Sequence, residues 1–321
     1  MKLFRLPAFL ALAAFAAGAA AQSYPTKPVK LIVAFTPGSA TDIIARVVAD
    51  TFTRSMGQTF IVENKPGAGG ILGTEAAKNA APDGYTLTAC PSGPFAINPG
   101  IYSKLPYDPI RDFEPISNLV LTPQVIVVGA QTPYRTLKDL VEDAKKKPGE
   151  IAYGSLGTGS TSHLTMEAFQ QQAGIKLNHI PFKGGAEAQT QIMGGAFPVM
   201  SDTISGVLAQ VKAGRLRPLG VAIPKRSPYI PDVPTIAEQG FKGFESVGWI
   251  GLCAPAKTPV AILDKLNAEA KKFIASAEAK EKMQQGAFTP VGDSRAEFAA
   301  WIKAEIAKWS RVAKESGAKA D

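Results

Sequence analysis

Three turns in this chain combine small residues with hydroxyl side chains, directly before predicted helices. They lie at residues 36–42, 64–70 and 157–163. A strand that runs into a helix leaves several backbone N–H groups of the first turn unpaired and pointing at one spot, where an anion is favoured. Ser39 and Asp42 are also ordinary helix caps, so the first turn alone fits a capped helix without a ligand equally well. The threefold recurrence of the turn indicates an anion site.

The residues that common enzyme chemistries require are incomplete. The only histidines are His163 and His179, and no G-x-S-x-G turn is present to carry a serine nucleophile. Two histidines and two scattered cysteines do not form a metal-ligand cluster. The glycine pattern at 67–69 lacks the third glycine of a dinucleotide site, because Leu72 stands there, and residues 155–163 lack the lysine of a phosphate loop. We therefore predict no enzyme activity, no metal and no cofactor.

Residues 1–21 have the pattern of a secretory signal peptide. A basic start is followed by a short apolar segment and by the small-residue cleavage site that ends at Ala21. The apolar segment is too short to span a membrane. We expect export to the periplasm and a mature chain that begins near Gln22. Loss of Lys2 and Arg5 lowers the formal charge from +8 to +6.

The remaining positive charge is spread along the chain without a basic block, so nucleic acid is not an expected partner. Cys90 and Cys253 are the only cysteines. They could pair in an oxidising compartment. Both lie in apolar settings at predicted strand ends, where buried unpaired thiols are common. We expect free thiols.

Predicted strands and helices alternate along the whole chain. We expect strands at residues 31–35, 59–63, 85–89, 125–128, 151–153, 177–180, 197–200 and 219–223. After a helix that follows Pro37-Gly38, we expect helices at residues 71–80, 137–146, 161–173, 186–193, 204–213, 259–276 and 294–316. This alternation is typical of parallel sheets covered by helices.

A chain of this length and apolar content usually divides into two lobes. We predict an α/β fold of two lobes with parallel-rich sheets, flanking helices and a ligand cleft between the lobes. The chain is expected to cross between the lobes near residues 116–124 and 218–225. Lobe 1 would then comprise residues 22–121 and 225–321, and lobe 2 residues 122–224.

Seven segments, in the same order, resemble the periplasmic solute-binding proteins of tripartite tricarboxylate transporters, the Bordetella uptake gene (Bug) family. They are residues 35–46, 62–70, 82–87, 153–164, 179–185, 231–238 and 248–255. The resemblance implies a two-lobed fold that closes on an organic acid, typically a di- or tricarboxylate or a related aromatic acid or amino acid. It also implies delivery to an ion-driven permease of two membrane subunits. We expect a monomeric receptor.

The resemblance also implies which residues bind the ligand. Lobe 1 would contribute Phe35, Thr36, Gly38, Ser39, Ala40, Thr41, Asp42, Ala68, Gly69, Ser92 and Gly93, and lobe 2 Gly157, Thr158, Ser162, His163, Lys183, Gly184 and Asp202. His163 also fits a polar residue packed at a helix start, and Asp202 also fits a helix cap. The chain departs from the family pattern at Ser39, Cys90, Pro198 and Ser201, which leaves the identity of the ligand open. A receptor of the same fold that serves a sensor kinase remains the alternative.

Overall fold

The computed structural model describes residues 24–320, so the predicted signal peptide at residues 1–21 lies outside the described residues. The strands of the described part are β1 (Val29–Val33), β2 (Phe60–Asn64), β3 (Thr86–Pro91), β4 (Phe113–Gly129), β5 (Ala152–Ser155), β6 (Asn178–Pro181), β7 (Val199–Thr203), β8 (Leu216–Val221), β9 (Val247–Pro255) and β10 (Thr289–Pro290). Its α-helices are α1 (Ala40–Met56), α2 (Ile71–Lys78), α3 (Asn98–Ile101), α4 (Leu137–Lys146), α5 (Thr161–Ala173), α6 (Gly185–Met193), α7 (Ile204–Lys212), α8 (Val260–Ala275), α9 (Ala277–Gln285) and α10 (Arg295–Ser316).

Two groups of parallel strands form the frame of the molecule. In the first group, β1 pairs in parallel with both β2 and β3. In the second group, β5 pairs in parallel with both β6 and β7. Parallel strands need a crossover connection, and the helices that the sequence predicted between them provide it. The predicted α/β fold is confirmed.

The long strand β4 belongs to both groups. Its residues from Phe113 to Pro123 pair antiparallel with β9, which in turn pairs antiparallel with β3. Its residues from Gln124 onward pair antiparallel with β7 and β8. We call the strands β1, β2, β3, β9 and β10 with the first part of β4 lobe 1, and the second part of β4 with β5 to β8 lobe 2.

The apolar residues form separate buried clusters on the two lobes. In lobe 1, residues of β1, β3 and β9 pack with α1 and α8 around Phe52 and Phe273. In lobe 2, residues of β4, β5 and β7 pack with α4 and α5 around Tyr153 and Phe169. Ile236 and Phe244 also pack with this second cluster, so the chain just before β9 lies beside lobe 2. The exact lobe limits, 22–121 with 225–321 and 122–224, stay a prediction.

The expectation of free thiols is wrong. Cys90 and Cys253 form a disulfide that joins β3 to β9, with Cα atoms 5.9 Å apart. In the antiparallel register of these strands, Cys90 lies opposite Gly251 and Cys253 opposite Thr88, so the two cysteines are diagonal neighbours. This spacing lies within the range that a disulfide spans. The sequence allowed this pairing without favouring it, because the antiparallel contact between β3 and β9 joins residues far apart in the chain and has no local signal.

The structure adds two details to these expectations. The strand predicted at residues 125–128 is the last part of β4, and the predicted crossing at 116–124 runs along the same strand. The sheets are mixed, because β4, β8, β9 and β10 pair antiparallel with their neighbours. The first connection between the lobes therefore lies inside the sheet, in β4, whereas the second runs through residues 222–246, between β8 and β9, outside the strands.

Candidate functional site

The carboxyl ends of the parallel strands place the beginnings of helices toward one region in each lobe. In lobe 1, β1 leads to α1, β2 to a 3-10 turn at Ala68–Gly70, and β3 to a π-helical turn at Gly93–Ile97. In lobe 2, β5, β6 and β7 lead to α5, α6 and α7. Ligands of open α/β sheets bind outside the carboxyl ends of the strands. The predicted site residues lie on these connections or at the adjoining ends of the strands and helices.

The turn before α1 is held by a buried carboxylate. Asp42 accepts hydrogen bonds from the Gly38 N–H at 2.9 Å, from Asn64 Nδ2 at 2.9 Å and from Arg46 Nε at 3.0 Å. Burial raises the pKa of Asp42, but the bonds from Arg46, Gly38 and Asn64 more than offset this and hold it below its ordinary value. The side chain of Asp42 therefore braces the turn from inside.

Ser39 provides the N-cap of α1, since its hydroxyl accepts the Asp42 N–H at 3.2 Å. Among the described residues, the N–H groups of Ala40 and Thr41 have no acceptor. Thr36 and Gly38 are exposed, and Phe35 lies against Gly70. The first predicted turn thus offers two unpaired backbone donors, and it uses its Ser and Asp side chains for its own geometry.

The 3-10 turn Ala68–Gly70 brings a second set of donors to lobe 1. Gly69 lies in the middle of this turn with φ +62°. The turn is closed by the Gly70 N–H, which donates to the carbonyl oxygen of Gly67 at 3.0 Å. Within the described part of the chain, the N–H groups of Ala68 and Gly69 have no acceptor. Asn98 Nδ2 donates to the Gly69 carbonyl oxygen at 3.3 Å. Sequence reasoning missed Asn98, because it lies in a proline-rich connector without a recognisable signal.

The turn before α5 repeats the arrangement of the turn before α1. Ser160 is the N-cap and accepts the His163 N–H at 3.2 Å. The buried hydroxyl of Ser162 accepts the Leu156 N–H at 2.9 Å and so stabilises the turn. The N–H groups of Thr161 and Ser162 have no acceptor among residues 24–320.

His163 and His179 form a buried pair behind this turn. Their rings stack with centroids 4.0 Å apart, and Tyr153 stacks on the other face of His179. Burial, with a smaller contribution from the neighbouring His179, lowers the pKa of His163 to about 3. Burial also lowers the pKa of His179 to about 4. Both imidazoles are neutral near pH 7, which favours the packed role for His163 over an ionic contact with a ligand.

Ser155 and His179 resemble a catalytic dyad in distance only. Ser155 Oγ lies 2.7 Å from His179 Nε2. Ser155 is fully buried, and an imidazole with a pKa of about 4 is a poor proton acceptor at neutral pH. Among the described residues, no carboxylate is hydrogen-bonded to His179, whereas Glu167 accepts the Tyr153 hydroxyl. The geometry does not provide an activated nucleophile.

The remaining predicted residues of lobe 2 surround the beginnings of α6 and α7. Lys183 is exposed, and its backbone N–H donates to Glu187 at 3.0 Å. Gly184 is the N-cap residue of α6. Asp202 is buried at the end of β7 and accepts from the Thr203 N–H at 2.6 Å and from Gln189 Nε2 at 3.0 Å. Burial raises the pKa of Asp202 to about 6. The N-cap of α7 is Thr203, whose hydroxyl accepts the Gly206 N–H at 3.0 Å, so Asp202 stabilises the cap residue and does not cap the helix itself.

Several predicted residues meet across the seam between the lobes. A Cβ on Gly69 would lie 3.2 Å from the carbonyl oxygen of Thr158. A Cβ on Gly93 would lie 3.3 Å from the carbonyl oxygen of Gly159. The hydroxyls of Ser92 and Thr161 are 2.8 Å apart. Gly69, Ser92 and Gly93 are therefore brought against the turn before α5.

Other predicted residues stay outside this contact. In the described part of the chain, the turn at residues 36–38 makes no hydrogen bond to lobe 2, and neither do Lys183 and Gly184 to lobe 1. None of the predicted site residues lines the two surface hollows of about 260 and 220 Å³, which lie beside Arg54 and Lys272 and beside Ile110 and Lys303. Neither hollow borders a strand carboxyl end. We place the candidate site at the seam.

The donors at the seam are mostly neutral. Of the predicted site residues, Asp42 alone forms an ion pair with a lysine or arginine in the described part, at 2.9 Å to Arg46. No group of three or more His, Cys, Asp or Glu side chains within residues 24–320 is arranged to hold a metal ion. No helix in this range is long and apolar enough to cross a membrane. The arrangement can bind an anion through backbone N–H groups and hydroxyls.

Comparison with known proteins identifies the fold and the family. Residues 44–318 match the model of the tripartite tricarboxylate transporter family receptor. Protein BugT of Bordetella pertussis is 35% identical over 312 residues, which cover 97% of this chain and 96% of that protein. The periplasmic binding protein BugD has a TM-score of 0.85 at 33% identity, over 92% of this chain and 99% of that one.

Two of the similar solved structures contain an organic acid. An R. palustris protein with adipate has a TM-score of 0.88 at 33% identity and covers 92% of this chain and 99% of its own. MatC from Rhodopseudomonas palustris with bound malate has a TM-score of 0.84 at 28% identity, over 90% of this chain and 99% of its own. The chain belongs to the tripartite tricarboxylate transporter receptor family, whose members are periplasmic solute-binding receptors and not enzymes.

Proposed function

We propose that this protein binds an organic acid, a di- or tricarboxylate or an aromatic carboxylate, between its two lobes and delivers it to a permease of the tripartite tricarboxylate type. The observation that supports this most is the meeting of the turns at Ala68–Gly70 and before α5, each with unpaired backbone N–H groups, at one seam. Two helix beginnings that face each other suit a ligand with an acidic group at each end.

The relatives support the same ligand class. Adipate and malate, which two related structures contain, are both dicarboxylates. We therefore expect dicarboxylates among the first compounds to bind. The ligand-binding set remains the predicted one. Within it, we assign Asp42, Ser162, His163 and Asp202 to the support of the turns, because their side chains are already engaged inside the protein.

The cellular part of the proposal is export followed by handover. The signal peptide at residues 1–21 would be cleaved near Ala21, and the receptor would act as a monomer in the periplasm. The disulfide between Cys90 and Cys253 fits this location, because the bacterial periplasm is oxidising. Two membrane subunits of a tripartite tricarboxylate transporter would accept the ligand.

A thermal-shift screen of aliphatic and aromatic carboxylic acids, followed by titration calorimetry of the hits, tests the ligand class. We expect a dicarboxylate to raise the melting temperature and to bind with one site per monomer. Intact mass of the periplasmic protein should show a chain that begins near Gln22. Binding of amines or neutral sugars but of no carboxylic acid would refute the proposal. Crosslinking to a membrane kinase instead of a permease would refute its transport part.

A further inference from the structure

Asn98 occupies a special position at the seam, although it was not among the predicted site residues. It begins α3 and is fully buried. Its Nδ2 donates to the Gly69 carbonyl oxygen at 3.3 Å and lies 3.4 Å from the hydroxyl of Tyr107. These contacts fix the orientation of the amide, because the reverse orientation would place Oδ1 against the carbonyl oxygen of Gly69. Asn98 thus holds the 3-10 turn of lobe 1 from behind.

The other end of the same amide faces lobe 2. A Cβ on Gly159 would lie 2.6 Å from Asn98 Oδ1 and 2.8 Å from Ile101 Cδ1. Only a residue without a side chain can therefore approach Asn98 this closely. Asn98 Oδ1 has no hydrogen-bond donor among the described residues, although the large majority of buried side-chain polar atoms have one. Its surroundings at this point are the backbone of the turn before α5.

We propose that Asn98 is a positioning residue that sets the spacing between the two ligand-holding turns. On one side it holds Gly69 of lobe 1, and on the other it is the surface on which Gly159 of lobe 2 rests when the lobes close. This inference rests on the proposed function, because it takes these two turns to hold the ligand. Asn98 itself need not contact the ligand.

The chain around Gly159 explains how a small displacement would reach the site. Gly159 lies between Thr158, which faces Gly69, and Ser160, which caps α5. A shift of Gly159 therefore moves the seam contact and the beginning of α5 together. Hydrogen bonds to a carboxylate weaken steeply when distance or angle departs from the optimum. The spacing that Asn98 sets should consequently appear in the affinity for the ligand.

A double-mutant cycle of Gly159→Ala and Asn98→Ala tests the inference, with adipate and malate as titrants in calorimetry. Gly159→Ala should weaken binding by about tenfold or more, because its methyl group meets Asn98 Oδ1. Asn98→Ala alone should also weaken binding, because Gly69 loses its anchor. The double variant should bind no more weakly than Gly159→Ala alone, because the shortened side chain removes the contact with Oδ1 and Ile101 Cδ1, at the end of a flexible side chain, can turn away from the methyl group.

Gly174→Ala is the matched control. Gly174 ends α5 with φ +62°, and Gly159 has φ +80°, so both substitutions strain the backbone. No atom lies within 4 Å of a Cβ on Gly174. This variant should lose thermal stability and keep its affinity within about twofold. Equal losses of affinity in Gly159→Ala and Gly174→Ala would overturn the inference, and so would losses that add in the double variant.

Melting temperatures of the unliganded variants separate this inference from the proposed function. If neither adipate nor malate binds the wild type, and no other carboxylate in the screen does, the proposed function fails. The melting temperatures of Gly159→Ala, Asn98→Ala and the double variant then still test whether Gly159 contacts Asn98. Non-additive shifts for Gly159→Ala and Asn98→Ala support the contact between the two residues, and additive shifts overturn it.

Discussion

The turns before α1 and before α5 use the same cap in different surroundings. Ser39 (φ −67°, ψ 158°) and Ser160 (φ −74°, ψ 157°) have nearly the same backbone conformation, and each accepts the N–H three residues ahead. Behind the first cap lie the Asp42 carboxylate and Arg46, whose side chain is half exposed. Behind the second lie hydroxyls and neutral, buried imidazoles.

This difference indicates how two lobes can present similar donors and still respond differently to their environment. The turn of lobe 1 depends on an ionised carboxylate and keeps its geometry over most of the pH range. The turn of lobe 2 depends on groups that must stay uncharged, so it is sensitive to acid. The two turns offer similar backbone N–H groups, but an ionised carboxylate stabilises the turn before α1, whereas hydroxyls and neutral imidazoles stabilise the turn before α5.

The largest expected effect comes from removing the close approach that joins the two turns. Gly69→Val should weaken carboxylate binding at least tenfold and up to about a hundredfold, because its side chain would meet the Thr158 carbonyl oxygen and block access to the N–H groups. Titration calorimetry measures this loss. Gly57→Val is the control, since Gly57 has φ +72° and no neighbour within 4 Å of a Cβ. Unchanged affinity in Gly69→Val would exclude this turn from the site.

The second expected effect separates the two turns by pH. A histidine has a pKa near 6.5 in the unfolded chain, and burial lowers the folded values to about 3 and 4. As pH falls below about 6.5, the unfolded chain binds protons that folded His163 and His179 do not. Each imidazole then lowers the free energy of unfolding by up to about 1.4 kcal/mol per pH unit.

Chemical denaturation between pH 7 and 5 measures this slope. His179→Phe keeps a stacked ring and should show a shallower slope than the wild type. Asp42→Asn should leave this slope unchanged, because the lowered pKa of Asp42 makes its contribution complete above about pH 4, and acid removes it only below that value. The same slope in His179→Phe and in the wild type would contradict the assignment of acid sensitivity to lobe 2.

The smallest expected effects compare a neutral donor with a charge. Thr158→Ala should cost about 0.5–1.5 kcal/mol of binding free energy if its hydroxyl contacts the ligand. Lys183→Ala should cost less than about 0.5 kcal/mol, because its side chain is exposed and forms no ion pair with the described residues. Calorimetry at low and high salt checks both. A steep salt dependence that disappears in Lys183→Ala would show that a side-chain charge captures the ligand.

The sequence predicted those elements that have local signals. The helices at residues 137–146 and 161–173 were predicted with the bounds that the structure gives. The first has a capping box of Thr136 and Asp139, and the second has the Ser160 cap and a glycine after its end. Strand β9 escaped prediction, because it contains two glycines and is buried throughout, so its residues show no alternation. The full length of β4 was not predicted either, because its two prolines are residues that usually interrupt a strand.

At the site, the positions of the turns were predictable and the roles of their side chains were not. A hydroxyl or carboxylate near a helix beginning can serve a ligand or the turn itself. The Asp42 carboxylate accepts a hydrogen bond from Asn64, and the Ser162 hydroxyl accepts one from the Leu156 N–H, so both side chains stabilise their turns. Asn98 depends on the approach of Gly159 from the other lobe, which no local pattern encodes.

The disulfide has a topological consequence. Cys90 and Cys253 are 163 residues apart, and the strands β5 to β8 all lie within the ring that they close. A single break of the backbone anywhere inside that ring leaves one covalent molecule, held together at lobe 1. In the export proposed above, the chain would cross the membrane amino terminus first, and the disulfide could close only after Cys253 had emerged. All strands of lobe 2 would emerge before Cys253, so the sheet of lobe 2 could form while the sheet of lobe 1 still lacked β9, which lies between β3 and β4.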